Sequence, residues 1–147
     1  MNIIITGASK GIGYAIAEIF AAHGHDLYVT SKTADALELA VATLKKQYPN
    51  VKIESMPADL SQKAEVTNFA HWCLAKTIPT ILINNAGWIG EIAPMGKLDH
   101  LAIEENYNIN LVAPTMLINQ FLIQTANLET RKVIVNISSG AGKYPIK

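Results

Sequence analysis

Short apolar runs alternate with longer amphipathic segments along the whole chain. Apolar runs with few polar interruptions are typical of strands covered on both faces, whereas apolar residues spaced three and four apart are typical of helices. The pattern predicts five strands, at residues 3–5, 27–30, 51–53, 80–83 and 133–137.

Four helical segments are predicted between these strands. The first three have apolar stripes that recur at helical spacing: Ile12, Ile16, Ile19 and His23, ending at Gly24; Leu37, Val41, Leu44 and Tyr48, ending at Pro49; and Val66, Phe69, Ala70, Cys73 and Leu74. The fourth is a long helix from Asp99 to Gln124 that is apolar on nearly all sides. Thr33, Ser61 and Asp99 are the predicted N-caps of the second, third and fourth helices.

Strands that alternate with helices indicate βαβ units and a parallel sheet. With right-handed crossovers, this predicts an α/β fold of the Rossmann-like, doubly wound type, with helices on both faces of the sheet. No linker or internal repeat interrupts the pattern, so residues 1–147 are expected to form one domain, or most of one.

Composition excludes several classes of partner. Twelve basic residues balance twelve acidic ones, which removes the electrostatic argument for binding nucleic acid or an anionic membrane. Half of the residues are hydrophobic, but the longest apolar stretch, residues 109–123, contains Asn110 and Pro114 and is not expected to cross a membrane. The single cysteine, Cys73, excludes a disulfide within the chain and fits the cytoplasm. The four histidines lack metal-ligand spacing, so no metal is expected.

A glycine-rich turn between the first strand and the first helix is the first chemical signal. Residues 6–13 read T-G-A-S-K-G-I-G, with glycines at positions 7, 11 and 13. The first N–H groups of a helix have no partner within it, and the helix dipole favours an anion there, so a phosphate binds well at this place. The alternative is a turn that merely packs the helix on the strand.

Further motifs follow the other strands in order. Asp59-Leu60 comes after the third strand, Asn84-Asn85-Ala86-Gly87 after the fourth, and Ser138-Ser139 after the fifth, while Asn110 lies in the long helix. Together with the glycine spacing, these motifs resemble the short-chain dehydrogenase/reductase family over the whole chain.

The resemblance implies an NADPH-dependent oxidoreductase that interconverts a small-molecule carbonyl and an alcohol by hydride transfer. It implies the strand order 3-2-1-4-5, with further C-terminal strands missing from this chain, and a homodimer or homotetramer formed through the 99–124 helix. Asn84 is expected to tie neighbouring loops together, and Asn85 to face the cofactor. The implied catalytic residues are Asn110 and Ser139, and the implied cofactor-binding residues are Gly7, Ser9, Lys10, Gly11, Ile12, Gly13, Ser31, Lys32, Asp59, Leu60, Asn85, Ala86 and Gly87.

Asn110 also has a physical argument of its own. Pro114 lacks the N–H that would bond the Asn110 carbonyl in an α-helix, which leaves that carbonyl free for a water. The family holds a water of its proton relay at this carbonyl. The alternative is a kinked helix with a solvated asparagine.

Cofactor choice is predicted from the end of the second strand. NAD enzymes place an acid there for the ribose 2′-hydroxyl, and that acid repels a 2′-phosphate. Here Thr30-Ser31-Lys32 carries no carboxylate before Asp35, and Lys10 offers a second cation. NADPH is therefore expected to be preferred over NADH.

The proton donor of the family is not found in the chain. A tyrosine with a lysine one helical turn later is expected roughly a dozen residues after Ser139. The sequence ends at Lys147, and Tyr144-Pro145-Ile146-Lys147 has the wrong spacing and a proline, so it is a poor substitute. The chain is expected to bind cofactor without turning over. The alternative is a non-catalytic dinucleotide sensor or scaffold on the same fold. The sequence indicates neither the substrate nor the reaction direction.

Overall fold

The structure, a computed structural model, describes residues 1–90, 92–94, 96–129 and 131–139. Its central feature is a parallel sheet of five strands in the order β3-β2-β1-β4-β5, as predicted. The strands are β1 (Asn2–Thr6), β2 (Asp26–Thr30), β3 (Ile53–Ser55), β4 (Ile81–Asn84) and β5 (Val133–Asn136). β3 lies two residues later than expected, because the N–H of Val51 is used in a turn onto the carbonyl of Tyr48.

Helices cover both faces of this sheet. They are α1 (Gly11–Ala22), α2 (Ala34–Gln47), α3 (Lys63–Lys76), α4 (His100–Tyr107) and α5 (Ala113–Thr125). Ile3 and Ile5 of β1 belong to the core under α1 and α2, while Ile4 between them belongs to the core under α3 and α5. Successive side chains of a strand point to opposite faces, so an unbroken apolar strand serves both layers.

The stripes predicted for α2 and α3 are confirmed, but that of α1 is wrong. α2 buries Leu37, Val41 and Leu44, and α3 buries Val66, Phe69, Ala70 and Cys73. In α1 the buried residues are Gly13, Ala17 and Ala21, and Ile12 and Ile19 are exposed. Small residues allow this helix to lie close to the sheet and the glycine turn, which large side chains on that face would prevent.

The predicted helix caps have three different outcomes. Asp99 caps α4 as expected, since its carboxylate accepts the N–H groups of Leu101 and Ala102 at 3.1 and 3.3 Å. Thr33 is the N-cap residue of α2, but its hydroxyl makes no capping bond. Ser61 is not a cap, because α3 begins at Lys63 and the Ser61 hydroxyl donates instead to Asp59.

The predicted long helix from Asp99 to Gln124 is interrupted. A π-helical turn, Asn108–Val112, separates α4 from α5, and within it the N–H of Ala113 donates to the carbonyl of Asn108. The wider turn lies directly before Pro114, where an α-helical hydrogen bond cannot form. Single π turns of this kind are frequent at functional sites, and this one contains Asn110.

The structure gives no candidate for a membrane span. Within the ranges that it describes, no helix is both long enough and apolar enough to cross a bilayer. The expectation of a cytoplasmic protein stays a prediction.

Candidate functional site

The glycine turn lies at the carboxyl edge of the sheet, between β1 and α1. Gly7 and Gly11 have φ values of +68° and +59°, a left-handed conformation that favours glycine. A Cβ on Gly7 would lie 2.9 Å from the Cα of Ala86, so the turn packs directly on the loop that follows β4. Residue 7 thus has to be small for packing, and so does residue 13, where a Cβ would clash with the Gly7 carbonyl oxygen and the Asn85 side chain.

Asn85 fixes the position of the turn. Its side-chain nitrogen donates to the carbonyls of Thr6 and Gly7 at 3.0 and 3.2 Å. In return the Thr6 hydroxyl oxygen accepts the N–H groups of Asn85 and Ala86, both at 3.0 Å. Asn84 was expected to tie neighbouring loops together, but it donates to Asn136 at 2.9 Å and thus joins the last residues of the paired strands β4 and β5. The cofactor contact of Asn85 stays a prediction.

A cavity of about 570 Å³ opens above this turn. All the residues predicted to bind the cofactor line it except Gly13, which is buried beneath the turn. Five further residues line the cavity that were not predicted from the sequence: Thr33, Ala58, Trp88, Glu105 and Ile109. Three of them are direct neighbours of predicted residues. Glu105 and Ile109 lie one helical turn apart in the segment before Asn110, and only the folded chain brings them to the cavity.

At the end of β2, a cluster of polar residues lies beside the cavity. The Ser31 hydroxyl donates to the Ser9 hydroxyl at 2.9 Å, which joins the end of β2 to the glycine turn. The next residue, Lys32, forms ion pairs with Asp59 at 2.9 Å and with Glu105 at 3.2 Å. Lys32 was predicted as a cation for a phosphate, and the structure adds two carboxylates beside it.

The electrostatics of this cluster follow from these contacts. Hydrogen bonds to Asp59 and Glu105 raise the pKa of Lys32 above its ordinary value, so the ammonium stays charged. Burial by itself would raise the pKa of Asp59, but the hydrogen bonds from Lys32 and Ser61 outweigh it and hold that pKa below its usual range. At neutral pH both groups are ionised, and the cavity has a charged end beside β2.

The opposite part of the cavity, above β4, is held by two asparagines. The Asn110 side chain accepts the N–H of Trp88 at 3.0 Å and donates to the carbonyl of the same residue at 2.6 Å. Asn106, one helical turn earlier, donates to the carbonyls of Trp88 and Ile89 at 2.9 and 3.0 Å. The Asn110 side chain thus positions the loop after β4, and the water at its carbonyl stays a prediction.

Ser138 and Ser139 follow β5 at the same edge of the sheet. β5 is parallel to β4, and beyond the strand the N–H of Ile137 still donates to the carbonyl of Asn84 at 2.9 Å. Ser139 is exposed just beyond that bond, and its catalytic role stays a prediction. Residues 144–147, considered above as a substitute for the family's tyrosine and lysine, lie outside the described residues.

The donor set of the site fits a dinucleotide better than a metal. Among the residues described, no group of three or more histidine, cysteine, aspartate or glutamate side chains could hold a metal ion. The glycine turn, in contrast, brings bare backbone to the cavity at the start of α1, where N–H groups lack helical partners. A Cβ on Gly87 would lie 3.3 Å from the Asn110 side-chain oxygen, so the loop after β4 packs closely against Asn110 at this glycine.

Comparisons with known proteins agree with this geometry. A benzil reductase ((S)-benzoin forming) of Bacillus subtilis (strain 168) is 31% identical over 144 residues, which are 98% of this chain and 57% of that protein. The structure of a bulky-bulky ketone specific alcohol dehydrogenase from Comamonas testosteroni superposes with a TM-score of 0.89 at 32% identity, covering 98% of this chain and 57% of the other. A short-chain dehydrogenase from Sphingobium yanoikuyae in complex with NADPH gives a TM-score of 0.88 at 32% identity, covering 98% of this chain and 56% of that one.

The chain therefore spans a little over half the length of these relatives. The family model described as short chain dehydrogenase matches residues 1–147, the whole of the chain. This match, together with the glycine turn, the N-N-A-G loop and the strand order, shows that the chain belongs to the short-chain dehydrogenase family.

Proposed function

We propose that this chain binds NADPH at the carboxyl edge of its sheet, and that the protein interconverts a carbonyl group and an alcohol. The observation that carries the proposal is the cavity above the glycine turn. It is lined by the residues that the family resemblance assigns to the cofactor, although they come from four separate loops. A relative of known structure was solved in complex with NADPH.

Each part of the cavity has a role in this proposal. The turn from Gly7 to Gly13 holds the pyrophosphate at the start of α1, with the Ile12 backbone facing it. Asp59 and Leu60 lie beside the adenine, and Ala86 and Gly87 let the cofactor pass close over β4. When bound, the nicotinamide supplies or accepts the hydride, while the protein provides position and protons.

The catalytic roles are assigned to Ser139 and Asn110. The Ser139 hydroxyl donates a hydrogen bond to the substrate oxygen as negative charge develops there. The Asn110 carbonyl holds a water of the proton relay, while its side chain keeps the loop after β4 in place. In the family a tyrosine and a lysine supply the proton, and we assign neither role to a residue of this chain. Turnover by the 147-residue chain alone would refute that assignment.

NADPH is the proposed cofactor because Lys10 and Lys32 both line the cavity and the end of β2, Thr30-Ser31-Lys32, contributes no carboxylate of its own. Calorimetric titration with NADPH and NADH tests this. We expect NADPH to bind at least about tenfold more tightly, which corresponds to about 1.4 kcal/mol. Equal affinities would contradict the preference, and no binding of either cofactor would contradict the proposed function itself. Binding without turnover by the full-length protein would favour the sensor or scaffold.

The proposed substrate is a ketone with bulky apolar substituents. Trp88 lines the cavity next to Gly87, and Ile89 beside it is exposed, so an apolar surface adjoins the proposed nicotinamide site. Two relatives are named for benzil and for bulky-bulky ketones. The full-length protein is expected to reduce benzil faster than acetone at equal concentration. The reverse order would refute this substrate class.

A homo-oligomer formed through α4 and α5 is proposed for the same protein. α5 buries Leu117 and Phe121 against the sheet, while Leu122 and Ile123 of the same helix are exposed. An apolar helix surface of this kind fits burial against the same helix in a second copy. Sedimentation of the full-length protein at micromolar concentration should show a dimer or tetramer, and Leu122→Glu should dissociate it. A monomeric wild-type protein would refute the proposal.

A further inference from the structure

Lys32 forms a bridge across one end of the cavity. It follows β2 and reaches both Asp59, which follows β3, and Glu105 on α4. These three residues also line a second cavity of about 540 Å³, on the other side of the bridge. The cluster therefore separates the proposed cofactor cavity from the neighbouring one.

The charges of the cluster work against a 2′-phosphate. One positive and two negative side chains give it a net charge of −1, whereas a phosphate monoester carries close to −2 near neutral pH. Two N–H groups of the Lys32 ammonium already contact these carboxylates, so a 2′-phosphate that binds the third has to lie close to two negative charges or displace one of them. The lysine therefore contributes less to NADPH selectivity than its place in the sequence implies.

The two acids are held differently. Asp59 is fixed in its loop, because one carboxylate oxygen accepts both the N–H and the hydroxyl of Ser61, at 3.0 and 2.8 Å. Glu105 reaches Lys32 from a separate element, the helix α4. Removing the Glu105 charge therefore leaves Lys32 with one carboxylate partner, Asp59, and does not disturb the loop that is proposed to lie beside the adenine.

We propose that Glu105 is a specificity-determining residue that lowers the preference for NADPH by holding Lys32 away from the 2′-phosphate. The inference rests on the proposed function. About three-fifths of the Lys32 side chain is exposed, so each ion pair is screened by solvent. The expected effect on affinity is consequently a change of severalfold and not of orders of magnitude.

The experiment is a titration of the full-length protein with NADPH and NADH at low ionic strength. Glu105→Gln is compared with Glu104→Gln, which removes the same charge from the next residue, also beside the second cavity but not paired with Lys32. Glu105→Gln should tighten NADPH binding about threefold to tenfold and leave NADH within about twofold. Glu104→Gln should leave both within about twofold.

A double-mutant cycle with Lys32→Met tests the route of the effect. If Glu105 acts through Lys32, Glu105→Gln loses most of its effect in the Lys32→Met protein. The inference is overturned if Glu105→Gln behaves like Glu104→Gln, weakens NADPH, or tightens both cofactors equally. If the wild-type protein binds neither cofactor, the proposed function fails and this inference with it. If the wild type binds and only the variants disagree, this inference alone fails.

Discussion

Gly13→Ala gives the sharpest test of the glycine turn, because two physical effects predict opposite signs. Gly13 lies inside α1, where alanine is favoured over glycine by about 1 kcal/mol on helix propensity alone. A Cβ at this position would lie 2.2 Å from the carbonyl oxygen of Gly7 and 2.4 Å from the side-chain nitrogen of Asn85. Propensity predicts a more stable protein, and the contacts predict a less stable one.

We expect the destabilisation from these contacts to exceed the gain in helix propensity. The atoms around the new methyl group would have to move by about 1 Å, and they belong to the turn backbone and to the Asn85 amide that anchors it. Overpacking of this kind costs about 1–3 kcal/mol, and backbone on one side of the clash favours the upper end. After subtraction of the propensity gain, the expected loss in the free energy of unfolding is about 2 kcal/mol.

Urea unfolding of the protein measures this loss, and cofactor titration of the same variant should show weaker NADPH binding because the turn is displaced. Ala15→Gly is the matched control, since Ala15 is exposed in the same helix and reports propensity alone. That control should lose about 1 kcal/mol. If Gly13→Ala is as stable as the wild type or more stable, the close packing of α1 on the turn is refuted.

Three further predictions concern the same framework. Asn85→Asp replaces the donor to two turn carbonyls by an acceptor, so urea unfolding should show a loss of about 1–3 kcal/mol in the free energy of unfolding. Asn85→Gln is the control for side-chain geometry, because it keeps the amide. An unchanged stability of Asn85→Asp would contradict the anchoring role. Asp99→Ala should lose about 0.5–2 kcal/mol with the cap of α4, and Asp99→Asn should retain most of it. Hydrogen bonds from Lys76 and Lys52 lower the pKa of Glu54, so its contribution to stability is present above its unfolded pKa of about 4 and lost as the pH falls through the lower folded value. Glu54→Gln should flatten the acid side of the stability profile, and an unchanged slope would refute the pairing.

Much of the fold can be predicted from the local sequence. The five apolar runs and the amphipathic stripes of α2 and α3 predict strands and helices correctly, because burial on both faces or on one face imposes those periods directly. The glycine turn and the N-N-A-G loop can be predicted for a similar reason. A left-handed φ at Gly7 favours glycine whatever surrounds it, and at Gly87 a small residue is favoured because a Cβ would lie 3.3 Å from the Asn110 side-chain oxygen.

Where the sequence analysis was wrong, a contact between distant residues had decided the outcome. The buried face of α1 is made of small residues because the helix lies against the turn and the sheet, so Ile12 and Ile19 are left exposed. Ser61 is the exception, because its hydroxyl donates to Asp59, only two residues earlier, and α3 begins at Lys63. The hydrophobic periodicity shows only which residues are apolar. It does not show how closely the helix packs against the neighbouring element.

The sequence by itself determined the α/β architecture, the place of the glycine turn and most of the residues that line the cavity above it. Only the tertiary structure decided which partners those residues have. It gave Lys32 two carboxylates, one of them from α4, and it committed the Asn85 amide to the turn. The period of a strand or helix is a property of neighbouring residues along the chain, whereas the salt bridge between Lys32, which follows β2, and Glu105 on α4 depends on a fold that brings together residues 73 positions apart.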